Sequence, residues 1–418
     1  MYLDIRGKKL LILGANAETI PIVRKAQEMG VIAIVTDHIV NSPAKLIADD
    51  YYDINGKDFS VIVDVIKKDN IDGVMIGVAD PLISSYMKIC EIMKFPCFVA
   101  KDSIDFFSNK RVFKDKCKKN DLPIIKEYFS CSDMEQIEKK SIKYPVVVKP
   151  AASRGGKGLS FCESPDELKP AFIRAKNNSD NYEVIGEEYV DSKDAVATFI
   201  CVNGEAHLLT MSDRIMFDSG NTLSTVTYSN IFPSLYIKTF EQKYFDKYSQ
   251  LFKNLGIKNG IVNIQMFCRN GEFIPYDPDC IINGEGASNL YNEILGVDVI
   301  GKFINYALTG DSACLQYKYG ENCNECMGAS IWILLRPGII REIQGREAVK
   351  NKKYVIDSIW RFEEGYEVTK PMRYTEKSTL ARIWIKASCK TELDAEILEV
   401  RRIIKVIDEE GNNMIDSL

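Results

Sequence analysis

Tyr144-Pro145-Val146-Val147-Val148-Lys149-Pro150-Ala151-Ala152-Ser153-Arg154-Gly155-Gly156-Lys157-Gly158 is the stretch on which the fold turns. Three successive valines favour an extended strand. Lys149 projects at its end, and Pro150, which has no N–H to give a ladder, stops it. The glycines that follow let backbone N–H groups come close to an anion. Arg154 and Lys157 add cationic donors. Flexible backbone donors combined with positive charge are what a polyphosphate requires. The Walker pattern G-x-x-x-x-G-K-[ST] is missing, so this is a different phosphate loop. A plain hairpin turn is the simpler reading of glycines alone; the lysine at the strand end argues against it.

Upstream, strand and helix patterns alternate. KKLLILGA (8–15), VIAIVTD (31–37) and DGVMIGVAD (72–80) are apolar runs of buried-strand type. ETIPIVRKAQEMG (18–30), SVIVDVIKKDN (60–70) and PLISSYMKICEIMKF (81–95) carry helical spacing. This order predicts a parallel sheet with helices on both faces over residues 1–105. The first strand runs into Gly14-Ala15-Asn16-Ala17-Glu18, not G-x-G-x-x-G, so the dinucleotide fingerprint is absent. A charged amphipathic helix, SNKRVFKDKCKKNDL (108–122), leads to the loop.

Downstream, Val184-Ile185-Gly186-Glu187-Glu188-Tyr189-Val190 reads as a strand with an acidic end. Asn263 to Asp279 holds two strand-like runs flanking Asn270-Gly271, a hairpin signal. Asp277 and Asp279, two apart, share a face. Strand parity puts Gln265 on that face only if the turn has an odd number of residues, such as three with a glycine bulge; a two-residue turn puts it on the other. Oxygen ligands of this kind suit Mg²⁺, which takes a few carboxylates together with phosphate oxygens and water.

Together these segments resemble the ATP-grasp superfamily. The resemblance extends over nearly the whole chain: a parallel-sheet domain, the Asn109-Lys110 helix, a Val-x-Lys-Pro strand with its flap, a Glu-Glu hinge and an acidic hairpin. It implies a two-subdomain grasp core at 106–190 and 191–310. A small C-terminal α+β module with barrel-like strands follows at 311–418, similar to that of biotin carboxylase. By this resemblance Lys110 and Lys149 contact ATP phosphates, and Ser153, Gly155, Gly156, Lys157 and Gly158 close over them. Glu187, Glu188 and Val190 border adenine through their backbone, and Asp194 holds the ribose. Gln265, Asp277 and Asp279 hold Mg²⁺, or Mn²⁺ in its place. Gln265 at the first position resembles carbamoyl phosphate synthetase. The family arginine two residues past the last ligand is replaced by Ile281, and aspartates stand for the family's Glu and Asn. Arg214 or Arg154 could supply the missing charge, although a surface salt bridge is an equal reading of Arg214. Lys157 and Asn283, the latter in Asn283-Gly284-Glu285-Gly286-Ala287, complete the implied reacting centre with Arg214.

The implied activity is ATP-dependent joining of a carboxylate to an amine or ammonia through an acyl phosphate. A glutaminase domain and a biotin-carrier segment are both missing from the sequence. The alternatives are a nucleotide-binding scaffold whose catalysis decayed with the arginine, and a kinase on the same fold. Restoring arginine at 281 would probe the decay reading.

The remaining composition narrows the field. A net charge of −5 gives no general attraction for nucleic acid or anionic membrane. The start, MYLDIRGKKLLILGAN, has too short an apolar run for a signal peptide, and no segment is long enough to span a bilayer. The expected location is therefore cytoplasmic, with small-molecule acid and amine substrates and, by analogy, a homodimer. His38 and His207 are the only histidines, which argues against a histidine-centred hydrolase or zinc enzyme. Among 12 cysteines only Cys323 and Cys326 form a C-x-x-C pair, without a second pair at zinc-site spacing. The others, such as Cys90, Cys97, Cys201 and Cys268, read as reduced thiols in apolar runs.

Overall fold

The computed structural model describes residues 4–137, 141–151, 158–218, 226–282, 287–317 and 326–416. The alternating N-terminal segments fold as the sequence predicts. Strands β1 (Lys9–Leu13), β2 (Ile32–Thr36), β3 (Asp50–Tyr52) and β4 (Gly73–Ile76) form a parallel sheet in the order β3-β2-β1-β4. Helices α1 (Ile20–Glu28), α2 (Phe59–Asp69) and α3 (Ile83–Met93) alternate with them. Asn70 and Lys94, both left-handed, end α2 and α3. Strand order reverses between β1 and β4, so the crevice at their carboxyl ends opens beside Gly14 and Asp80.

After α4 (Ile104–Ser108) and α5 (Lys110–Lys119), a four-stranded antiparallel sheet forms. It contains β5 (Glu127–Cys131), β6 (Val146–Pro150), β7 (Ser160–Cys162) and β8 (Val184–Glu188), in the order β5-β8-β6-β7, with α6 (Pro165–Asn177) across it. Phe129 and Phe172 lie in its core. A Cβ on Gly186 would lie 2.1 Å from Phe129, so the hinge strand takes glycine to let the ring lie across it.

A third sheet, of eight strands, dominates the remainder of the chain. It begins with β9 (Lys193–Val202), β10 (Glu205–Met216) and β11 (Thr227–Phe232), followed by α7 (Ile237–Asn254), then β12 (Gly260–Arg269) and β13 (Glu272–Asp279). Helices α8 (Ala287–Leu295) and α9 (Val299–Thr309) lead to β14 (Met327–Leu334), β15 (Gly338–Gln344), α10 (Arg346–Lys350), β16 (Val355–Trp360) and β17 (Glu367–Val368). The chain closes with β18 (Thr379–Ala387), α11 (Lys390–Ile403) and β19 (Lys405–Asp408). The order is β13-β12-β9-β10-β11-β14-β18-β16.

This corrects the barrel-like picture of the C-terminal region. The apolar strands β14, β16 and β18 extend the large sheet past β11, while β15, β17 and β19 make a separate three-stranded sheet. Local alternation shows a strand but not its partner. Ile281 packs with Cys280, Ile282 and Tyr291 in the core shared with the N-terminal domain and is 3% exposed. Among the described residues no helix is long and apolar enough to cross a membrane.

Candidate active site

The loop root is built from three elements. Asn109 caps α5, its side-chain oxygen accepting from the N–H groups of Arg111 and Val112 at 2.9 and 3.2 Å. Lys110 is therefore the first helical residue, and its N–H donates to the Ala151 carbonyl at 3.4 Å. That carbonyl lies just past Lys149 and Pro150. Gly158, at φ +76°, begins the return: a Cβ there would lie 2.8 Å from Asn178 and 2.9 Å from Pro150. Ser153, Arg154, Gly155, Gly156 and Lys157 lie outside the described residues, as do Asn283, Gly284, Glu285 and Gly286. Cys323 also lies outside them.

Lys149 points into the protein. Its ammonium lies 2.5 Å from Glu187, which pairs with Lys114 through its other oxygen. Lys114, one turn beyond Lys110 on α5, also reaches Glu127 of β5 at 2.9 Å. Burial opposes the charge on Glu187, but the two lysines outweigh it and hold the carboxyl below its usual value. Burial likewise opposes the charge on Lys114, but Glu187 and Glu127 outweigh it and raise that ammonium.

The hinge reading needs correction in detail. β8 is an inner strand paired on both sides. The Glu188 N–H donates to the Lys126 carbonyl at 2.9 Å, so it is not presented to a ligand. Of the three hinge residues, only Val190 lies beyond the strand end, packed with Ile125 and Ile274. The Glu188 side chain accepts from Arg269 of β12 at 3.0 Å and so ties the small sheet to the large one.

Asn270 and Gly271, at φ 53° and 76°, make a two-residue turn in the β12–β13 hairpin. An odd-length turn is thus not what aligns the strands. Instead, Met266 pairs with Pro275 while Gln265 pairs with Asp277, leaving Tyr276 as an extra residue. This bulge restores the parity, so Gln265 faces Asp277 and Asn263 faces Asp279. Two prolines, Pro275 and Pro278, are tolerated because β13 is an edge strand.

The bulged Tyr276 organises a buried polar layer. Its hydroxyl donates to Asp194 at 2.7 Å and accepts from Arg214 at 3.1 Å. Arg214 also donates to Gln265 Oε1 and to Thr227 Oγ1, both at 2.7 Å. Its side chain is 9% exposed, so the surface salt bridge does not describe it. Asp194 lies within this layer, 3.7 Å from Arg214, so it is engaged by protein groups where a ribose contact was expected.

Asp279 accepts from the Ile281 N–H at 2.8 Å. Burial first, and then Asp80 at the mouth of the parallel sheet, push its carboxyl well above the usual range; Asp277 adds to this. A cation would relieve this crowding. Among the described residues no three His, Cys, Asp or Glu side chains are placed to hold a metal. Mg²⁺ commonly takes only one or two carboxylates and draws its other ligands from phosphate and water.

Residues 109–265 match the family model described as the carbamoyl-phosphate synthase L chain, ATP binding domain. The fold is also that of solved relatives. An L-amino acid ligase from Bacillus licheniformis superposes with a TM-score of 0.78 at 17% identity, over 97% of this chain and 99% of that one. Phosphoribosylglycinamide synthetase from Anaerococcus prevotii gives 0.74 at 18% identity, over 96% and 100%. The chain has the ATP-grasp fold. Among curated relatives of this ATP-grasp chain, formate-dependent phosphoribosylglycinamide formyltransferase of Wolinella succinogenes is 23% identical over 200 residues, covering 47% of this chain and 51% of the relative. The chain thus spans about half the length of the formyltransferases it matches.

Within this ATP-grasp frame, Lys114, Glu127, Tyr276 and Asp80 were not singled out from sequence. Lys114 carried a signal, its i+4 spacing from Lys110 on a charged helix. Tyr276 carried none, because a bulge depends on the partner strand.

Proposed function

We propose that the protein is an ATP-dependent ligase that activates a small carboxylate as an acyl phosphate and joins it to an amine or ammonia, releasing ADP and phosphate. The observation that carries this reading is the link between two sheets that each hold one candidate cluster. Lys110 and Lys149 stand at the root of the glycine-rich loop beside the small sheet, and Asp277 and Asp279 stand on the large sheet, which the Arg269–Glu188 pair ties to the small one.

In this reading Lys110 and Lys149 bind the nucleotide phosphates, with residues 153–158 as the lid. Asp277 and Asp279, with Gln265 beside them, would hold Mg²⁺. That ion supplies charge neutralisation on the phosphates. The substrate carboxylate oxygen attacks the terminal phosphorus and ADP leaves. The amine nitrogen then attacks the acyl carbon: the C–N bond forms, phosphate departs with the C–O bond electrons, and the nitrogen gives up a proton that the departing phosphate takes. The protein supplies positioning and fixed charge, without a covalent enzyme intermediate. Arg214, fixed by Gln265 and Tyr276, keeps a positive charge next to the metal ligands; Lys157 and Asn283 are the further reacting-centre residues. An ADP-release screen of acids paired with amines, with product masses, tests the proposal. An amide product supports it; a stable phosphoester would make it a kinase.

A second reading, a nucleotide-binding scaffold without turnover, is favoured by one observation. Ile281 occupies the family arginine position with its side chain buried in the core. Nucleotide binding without ADP release for any acid and amine pair would establish it.

A further inference from the structure

Glu187 is 1% exposed and is shared by two lysines, Lys114 and Lys149. If Lys149 serves a phosphate, it must loosen its hold on Glu187. A buried carboxylate stripped of its last cation is strongly unfavourable. Lys114 prevents this: it stays on Glu187, anchored from the other side by Glu127 at 2.9 Å. With its ammonium engaged by two carboxylates and its side chain 12% exposed, Lys114 is not presented to a phosphate itself.

We propose that Lys114 is a positioning residue for the nucleotide: by neutralising Glu187 it releases Lys149 to bind phosphate. This rests on the reading that the site takes a nucleotide. Without Lys114, Glu187 would keep Lys149 for itself. Glu187 thus competes with the phosphate, and Lys114 sets the strength of that competition.

The test is calorimetric titration of the full chain with Mg-ADP, with thermal melting to confirm that each variant is folded. Lys114→Met should weaken binding by about tenfold or more, the low end of what a charge-assisted hydrogen bond is worth. Glu187→Gln should bind more tightly than the native protein. Adding Glu187→Gln to Lys114→Met should recover most of the lost affinity, which a purely structural role for Lys114 would not produce. Native-like binding by folded Lys114→Met, beside loss in Lys149→Ala, would overturn the proposal while leaving the nucleotide reading intact. If Lys114→Met does not fold, Glu187→Gln decides: tighter binding supports the proposal, and equal or weaker binding overturns it. No binding by the native protein would remove the nucleotide reading itself, and this proposal with it.

Discussion

Gln265 lies directly opposite Asp277 across the β12–β13 ladder, and Tyr276 is the inserted residue that puts it there. The same tyrosine links Asp194 to Arg214, and Arg214 holds Gln265. The bulge therefore does two things. It brings the amide and the carboxylates to one face, and it supplies the hydroxyl that satisfies a buried aspartate.

Tyr276→Phe keeps the ring and its stacking on Phe267 but removes that hydroxyl. Asp194 would lose the hydroxyl donor that lies at 2.7 Å. The expected loss of stability is about 1–3 kcal/mol, the cost of leaving a buried acceptor short of a partner. Urea denaturation measures it, and an unchanged midpoint would mean the hydroxyl contributes nothing.

Asp277→Asn keeps the size of the side chain and removes its charge. Binding of Mg-ADP should weaken more than binding of ADP in EDTA. Parallel calorimetric titrations check this, and an equal effect in both would take Asp277 out of the metal site.

The Glu187 cluster sets an acid limit on stability. Its folded carboxyl is held below the usual value of 4.5, so its contribution is fully present above that value and is lost as pH falls through the lowered one. Lys114 is raised above 10.5, so its share is present below that value and lost only as pH rises through the raised one. Both contributions are intact between these limits. Glu187→Gln should therefore flatten the acid limb of a denaturation midpoint measured against pH. A variant as acid-sensitive as the native protein would place the acid limb elsewhere.

Ile281→Arg does not restore a family feature in this chain. It puts a guanidinium into the core between the N-terminal domain and the large sheet. The expected destabilisation is on the order of 3 kcal/mol or more, as for an uncompensated buried charge. Thermal melting reads it out, and a stable variant with new ADP release would favour the decayed-enzyme reading.

Much of this was legible in the sequence where the signal is local. β1, α1 and β2 follow from hydrophobic period, and the hairpin from Asn270-Gly271. What was missed depends on distant partners. Asp50–Tyr52 is three residues long and partly exposed, too short to show a strand period, yet it pairs with β2. The role of Lys114 appears only when Glu127 and Glu187 are brought to it by β5 and β8. β14 and β18 read correctly as strands, but nothing in their alternation says that they continue the sheet of β11. Asp194 reads as a ribose ligand by resemblance, and its engagement by Tyr276 and Arg214 appears only once β10 and β13 are brought to it.

The central claim is that the Lys149 strand and the acidic hairpin form a magnesium-nucleotide site. Calorimetric titration with Mg-ADP and with a non-hydrolysable ATP analogue, on native protein and on Lys149→Ala, tests it most directly. The account predicts magnesium-dependent binding by the native chain and a loss of about 1.5–3 kcal/mol of it in Lys149→Ala, the worth of a hydrogen bond to a charged group. Native binding that needs no magnesium, or equal affinity in the variant, would contradict it.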